Sequence, residues 1–153
     1  MRSLLLILII FLGVKVFAQD SKLSSPSAEP ITEVMIPSEV KSKLNNFFDA
    51  IKRKEFKKAY EELLKNSPIN DKKEDIENLL NQTERTVRIY GDFSGASFVN
   101  GHNASDNYIR LRYLGLYDKY PIRWIFTFYK SPKLGWIVTN IKLDDLSEFY
   151  LSE

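Results

Sequence analysis

The sequence predicts an α+β fold: three N-terminal helices packed on one face of a curved antiparallel sheet of about four strands. Three observations predict it. Apolar residues recur at helical spacing from Val40 to Leu80, β-branched and aromatic residues in alternation take over after Thr86, and the two regimes do not interleave. Helices first and strands last separate the elements into a helical layer and a sheet, which is the α+β arrangement.

The first helix is expected to start near Ser38, a candidate N-cap after Pro37, and to bury Val40, Leu44, Phe47, Phe48 and Ile51. A second apolar set, Phe56, Ala59, Tyr60, Leu63 and Leu64, is out of register with the first across Arg53 to Glu55. Two helices meeting at a short turn therefore fit better than one long helix, although no Gly marks the break. Asp71 with Glu74 three residues on reads as a capping box for the third helix. Its buried stripe is Ile76, Leu79, Leu80 and Thr83, and its end is expected near Arg85.

A strand is expected from Val87 to Tyr90, extended by Ala96 to Val99, with bulges or bends at Gly91 and Gly95. The polar run NGHNASDN, residues 100–107, reads as a loop. Further strands are expected at Tyr108 to Tyr117, Ile122 to Lys130 and Trp136 to Lys142, with Pro132 to Gly135 turning the last hairpin. Alternation puts Ile122, Trp124, Phe126 and Phe128 on one face and Arg123, Ile125, Thr127 and Tyr129 on the other. In the preceding strand Ile109, Leu111 and Tyr113 oppose Tyr108, Arg110 and Arg112. The inner face is thus strongly aromatic.

Ahead of the helices, residues 1–18 read as a secretory signal: basic Arg2, an apolar run from Leu4 to Leu12, and Val16 and Ala18 at the spacing a signal peptidase reads. That apolar run is about half of the roughly 20 residues a membrane-spanning helix needs. Export to a periplasm or the exterior, with no stable membrane anchor after cleavage, is the expectation. Residues 19–37, rich in Ser, Pro and Glu, read as a flexible leader, which leaves 38–153 as one domain.

Composition narrows the chemistry. The chain has 22 Lys+Arg against 20 Asp+Glu, and Arg2 and Lys15 lie in the segment expected to be removed, so the remainder is formally neutral. Nucleic-acid binding, which needs a marked basic excess, is not expected. With 0 Cys and 1 His there is no thiolate nucleophile, disulfide, Cys metal site or His pair. No metal and no cofactor are expected.

Two segments carry a family resemblance. The helical pair FFDAIKRKEFKKAYEELL, residues 47–64, resembles the apolar helix, short turn and second helix of the nuclear transport factor 2-like superfamily. The hairpin RWIFTFYKSPKLGWIVTNI, residues 123–141, is similar to that superfamily's aromatic strand, turn and Gly-Trp-x-Val closing strand. One departure is the inter-helix turn, where the Gly-Asp-like pair usual in the superfamily is replaced by Arg53, Lys54 and Glu55. The stretch YPIRWIFTFYK also resembles a recurring segment of small exported bacterial domains of this type. The resemblance implies a cone-shaped α+β fold, shared by isomerases, dehydratases and polyketide cyclases and by non-catalytic binding and assembly modules. Fold does not choose among them.

Residue by residue, no catalytic set converges. His102 sits in the expected loop beside Asp106, and turn chemistry accounts for that spacing. Acid-base work in the superfamily's enzymes is done by Asp, His or Tyr in the cone; here Asp49, Asp92, Tyr60, Tyr90 and Tyr113 are the available groups, and none matches a signature. Phe48, Tyr60, Tyr113, Trp124, Phe126, Phe128 and Trp136 are the expected pocket lining if the cone is open, and core if it is not. Lys52, Arg53, Lys54, Lys57 and Lys58 form a basic cluster at the helix turn, while Arg110 and Arg112 share a strand face and suit an anion or a partner. The leading expectation is a non-enzymatic domain binding a small apolar ligand or a protein partner. An isomerase or dehydratase-like enzyme and a homodimer pairing through the sheet face are the alternatives.

Overall fold

In the computed structural model, residues 28–151 are described; the expected signal and most of the expected leader lie outside them. The fold is α+β, with three α-helices and a five-stranded antiparallel sheet in the order β1-β2-β3-β4-β5. β1 (Glu29–Ile31) precedes α1 (Ser38–Lys52), α2 (Phe56–Leu63) and α3 (Lys73–Tyr90). β2 (Phe93–Ser105), β3 (Tyr108–Tyr117), β4 (Ile122–Ser131) and β5 (Gly135–Asp144) follow as a meander, and a 3₁₀ turn, Ser147–Leu151, comes last.

The break between α1 and α2 is made without glycine. Lys54 adopts φ 61, the left-handed conformation that ends a helix, and Glu55 N–H donates to Ala50 O at 2.9 Å. Lys54 Nζ then pairs with Asp92 Oδ1 at 2.8 Å, which ties the strained corner to the start of β2. The expected side-chain caps do not form. Pro37 is the N-cap of α1, and Lys72, not Asp71, precedes α3. Asp71 instead closes a 3₁₀ turn, Pro68–Asp71, capped by Ser67, whose buried hydroxyl donates to Val138 O of β5.

Three sequence expectations are corrected by tertiary context. Residues 87–90 are helix, not strand: Val87 and Tyr90 continue the stripe of Ile76, Leu80 and Thr83 against the sheet, so packing outweighs local β-propensity. Gly91, with φ 91, ends the helix there. Residues 100–105 are strand, not loop, because β1 pairs with β2 at Asn103, His102 and Gly101 and β3 pairs with its other side. Only Asp106 and Asn107 form the turn. Finally, folded structure starts before Ser38, so the sheet has five strands, and one of them precedes the helices.

The three central and C-terminal strands stand close to expectation, and their alternation decides the core. Trp124, Phe126, Phe128, Leu111 and Val138 are fully buried under Val40, Leu44, Phe47 and Ile51 of α1 and Tyr60 and Leu64 around α2. Phe47 is the centre: its ring meets those of Phe48, Tyr60, Trp124 and Phe126 edge-on at centroid distances of 5.4, 5.3, 5.5 and 5.6 Å. Aromatic edges on faces are the favoured arrangement and add to the area term.

A polar pair, Tyr60 and Thr83, is sealed inside. Thr83 Oγ1 donates its single proton to Leu79 O at 2.8 Å, so Tyr60 Oη is the donor in its 2.7 Å bond to Thr83 Oγ1. Tyr60→Phe should therefore lower stability by roughly 1–2 kcal/mol in a urea titration, because the Thr83 oxygen loses its donor in a dry site. An unchanged midpoint would show that the bond contributes nothing net.

Candidate functional site

The seven aromatic residues expected to line a cavity are core. Tyr60, Trp124, Phe126 and Phe128 are fully buried, and Phe48, Tyr113 and Trp136 nearly so. Their rings fill the space between helices and sheet: Trp124 stacks on Phe126 at 5.8 Å, and Tyr113 lies 5.4 Å from Phe48 and 5.5 Å from Phe98. The principal pockets of the described residues are lined by other side chains.

The candidate acid-base groups are dispersed. Burial raises the Tyr60 hydroxyl well above its ordinary value, with the Thr83 bond opposing only in part. Burial, helped by the negative charge of Glu33, pushes Tyr113 up to about 12. Both phenols thus stay neutral at physiological pH and are weak proton donors there. Tyr90 packs its ring against the core edge and donates its hydroxyl to Asp145 Oδ2 at 2.8 Å. Asp49 is exposed on α1, Asp92 is held by Lys54, and Asp106 is in the β2–β3 turn. His102 is in β2 beside Pro30 and Arg110, away from every one of those tyrosines in the register. Among the described residues no group of three His, Cys, Asp or Glu is placed to hold a metal ion.

Charge at the helix turn is spent on ion pairs. Arg53 and Lys58 both pair with Glu55, Lys57 pairs with Glu61, and Lys54 with Asp92. That cluster is a solvated, largely compensated face.

The outer face of the sheet is different. The register aligns His102, Arg110, Thr127 and Asn140 in one row across β2 to β5, and Asn100, Arg112, Ile125 and Lys142 in the next. Side chains two apart on a strand share a face, so Arg110 and Arg112 stand together on β3 and Asn140 and Lys142 on β5. Between them, on β4, stand the shorter Ile125 and Thr127. A trough of about 190 Å³ results, lined by Tyr108, Arg110, Arg112, Ile125, Thr127, Asn140 and Lys142, with no carboxylate in its lining. A second hollow of about 280 Å³ shares Tyr108, Arg110 and Arg112 and continues to His102, Ala104 and Ala28.

The trough is bounded on one side by a fixed pair. Arg123, in the row beyond, donates from Nε and Nη2 to the two oxygens of Asp144, both at 2.9 Å. Its guanidinium also lies over the rings of Phe149 and Tyr150 in the C-terminal turn. Arg112 donates to Asn100 Oδ1 at 3.2 Å, which holds its guanidinium over β2 and β3. The sequence signal for this site was the shared face of Arg110 and Arg112; Lys142, two strands away, needed the β4–β5 register. Against protein-family models, curated proteins and solved structures, the chain has no match.

Proposed function

We propose that this chain is an exported, non-enzymatic binding domain of nuclear transport factor 2-like type, and that it binds through the outer face of its sheet. One observation carries the reading: the aromatic set that an open cone would present to a ligand is consumed as core, while the outer face keeps an open cationic trough with no carboxylate in its lining. The Tyr and Asp groups that an isomerase or dehydratase would need are too dispersed to act on one substrate atom, which disfavours the enzyme alternative. Face-to-face pairing of two copies is disfavoured by charge. A two-fold interface sets a patch against itself, and here it would bring Arg110, Arg112 and Lys142 against their own equivalents.

Trp124 and Trp136 provide the test, since both are in the sealed layer. A series of neutral apolar ligands should leave their fluorescence and the melting temperature unchanged, because a ligand stabilises only a native state that binds it. A concentration-dependent rise in melting temperature together with altered Trp emission would restore the cone as the site. Turnover of a carbonyl or hydroxy substrate that disappears on replacing Tyr113, Asp92 or His102 would establish the enzyme instead.

A further inference from the structure

We infer that the outer-face trough is a site for a small organic oxyanion, a phosphomonoester or carboxylate with an apolar body. The oxyanion would sit over Ile125 and Thr127, between Arg110 on one side and Lys142 on the other. The inference rests on the outer-face binding reading and adds the ligand's chemical class.

Four features converge on this ligand. Two strand spacings of about 4.8 Å separate β3 from β5, and the exposed side chains of Arg110 and Lys142 stand on the two flanks of β4 and line the same trough. The guanidinium fork of Arg110 on one flank matches the paired oxygens of a phosphate or carboxylate, and the Lys142 ammonium on the other supplies a compact opposing charge. Among the described residues neither Arg110 nor Lys142 has an ion-pair partner, whereas Arg53, Lys54, Lys57 and Lys58 at the helix turn and Arg123 are matched to carboxylates. Asn140, exposed in the trough lining, adds a neutral donor suited to an oxygen left unmatched by the cations.

The apolar body follows from the adjoining hollow. Tyr108 borders both spaces and is 41% exposed, and beyond it lie Ala104 and Ala28. A ligand whose charged head fills the trough therefore places its other end on the Tyr108 ring and the methyl groups of Ala104 and Ala28, in a hollow that His102, Arg110 and Arg112 also line. At about 190 and 280 Å³ the two spaces suit a small molecule or the headgroup region of an amphiphile.

Calorimetric titration of the full chain tests this with phenyl phosphate, inorganic phosphate and benzyl alcohol, in low and high salt. Phenyl phosphate should bind at least about tenfold more tightly than either fragment, and added salt should weaken it. The double variant Arg110→Gln, Lys142→Gln should lose at least about tenfold in affinity for both phosphates while keeping the wild-type melting temperature, since both side chains are exposed. Tyr108→Ala should weaken phenyl phosphate and leave inorganic phosphate unchanged. Sedimentation with vesicles of phosphatidic acid in phosphatidylcholine, against phosphatidylcholine alone, separates the sources. Binding to the acidic vesicles only, lost in the double variant, assigns the anion to a lipid headgroup; binding of the soluble ester alone assigns it to a free metabolite. No binding to ester or vesicle, or binding that survives the double variant, overturns the site. In that event the binding-domain reading still stands if the tryptophans remain silent to apolar ligands, and it falls separately if turnover is found.

Discussion

Phe126→Ala is expected to destabilise the protein by roughly 3–5 kcal/mol, the range for emptying an aromatic site that the surroundings cannot refill. Phe126 is fully buried, and its ring touches Phe47, Phe48, Tyr113 and Trp124 at centroid distances of 5.6, 5.7, 6.2 and 5.8 Å. Those neighbours come from α1, β3 and β4, so the hole opens at the junction of the two layers and no single side chain can close it. Arg123→Ala, three positions earlier on the opposite face, should cost only about 1 kcal/mol, even though it breaks a forked pair with Asp144, because that pair is partly solvated. Denaturant midpoints compare the two directly. Equal losses would mean that the outer face contributes to the core as much as the inner one.

Gly91→Ala should be the next largest loss, about 2–4 kcal/mol, through backbone and contact together. Gly91 has φ 91 and ψ −167, a conformation open to glycine and strained for any L side chain. A Cβ there would lie 2.5 Å from Asp118 Oδ2 and 2.6 Å from Asp118 Cβ. The displaced carboxylate is the acceptor for Asp92 N–H at 2.7 Å, and Lys119 N–H donates to Tyr90 O at 2.9 Å beside it. The substitution would therefore loosen the corner where α3 passes into β2 against the β3–β4 turn. Gly95→Ala is the matched control: nothing lies within 4 Å of its would-be Cβ, and its midpoint should hardly move. Similar effects at both glycines would refute the corner's role.

If the outer-face trough is the binding surface, these core changes should leave ligand specificity intact in whatever fraction stays folded. The trough depends on the local order of β3, β4 and β5, and its charged groups point away from the aromatic layer. Affinity and stability thus reside on opposite faces of the same strands, which is why Arg110, Lys142 and Phe126 can be varied independently.

What the sequence determined by itself is what short-range periodicity encodes. The alternation through β3 and β4 separates Trp124, Phe126 and Phe128 from Arg123 and Tyr129, and the out-of-phase apolar sets at Ile51 and Phe56 announce two helices, because both depend only on neighbours within a turn or a pleat. The tertiary structure alone decided where local signals were ambiguous or silent. Thr86 to Tyr90 is rich in β-formers and became helix because Val87 and Tyr90 extend the packed stripe of α3. Residues 100–105 look like a loop and became strand because β1, from far upstream in the chain, supplied their missing hydrogen-bond partners. Whether the seven aromatics line a cavity or fill one is a question of volume, answered by how closely α1 settles on the sheet. The trough depends likewise on register. Arg110 and Arg112 are visible together in the sequence, but Lys142 joins them only because β4 pairs with β5 past a bulge at Thr127 and Phe128, which sets Lys142 opposite Ile125.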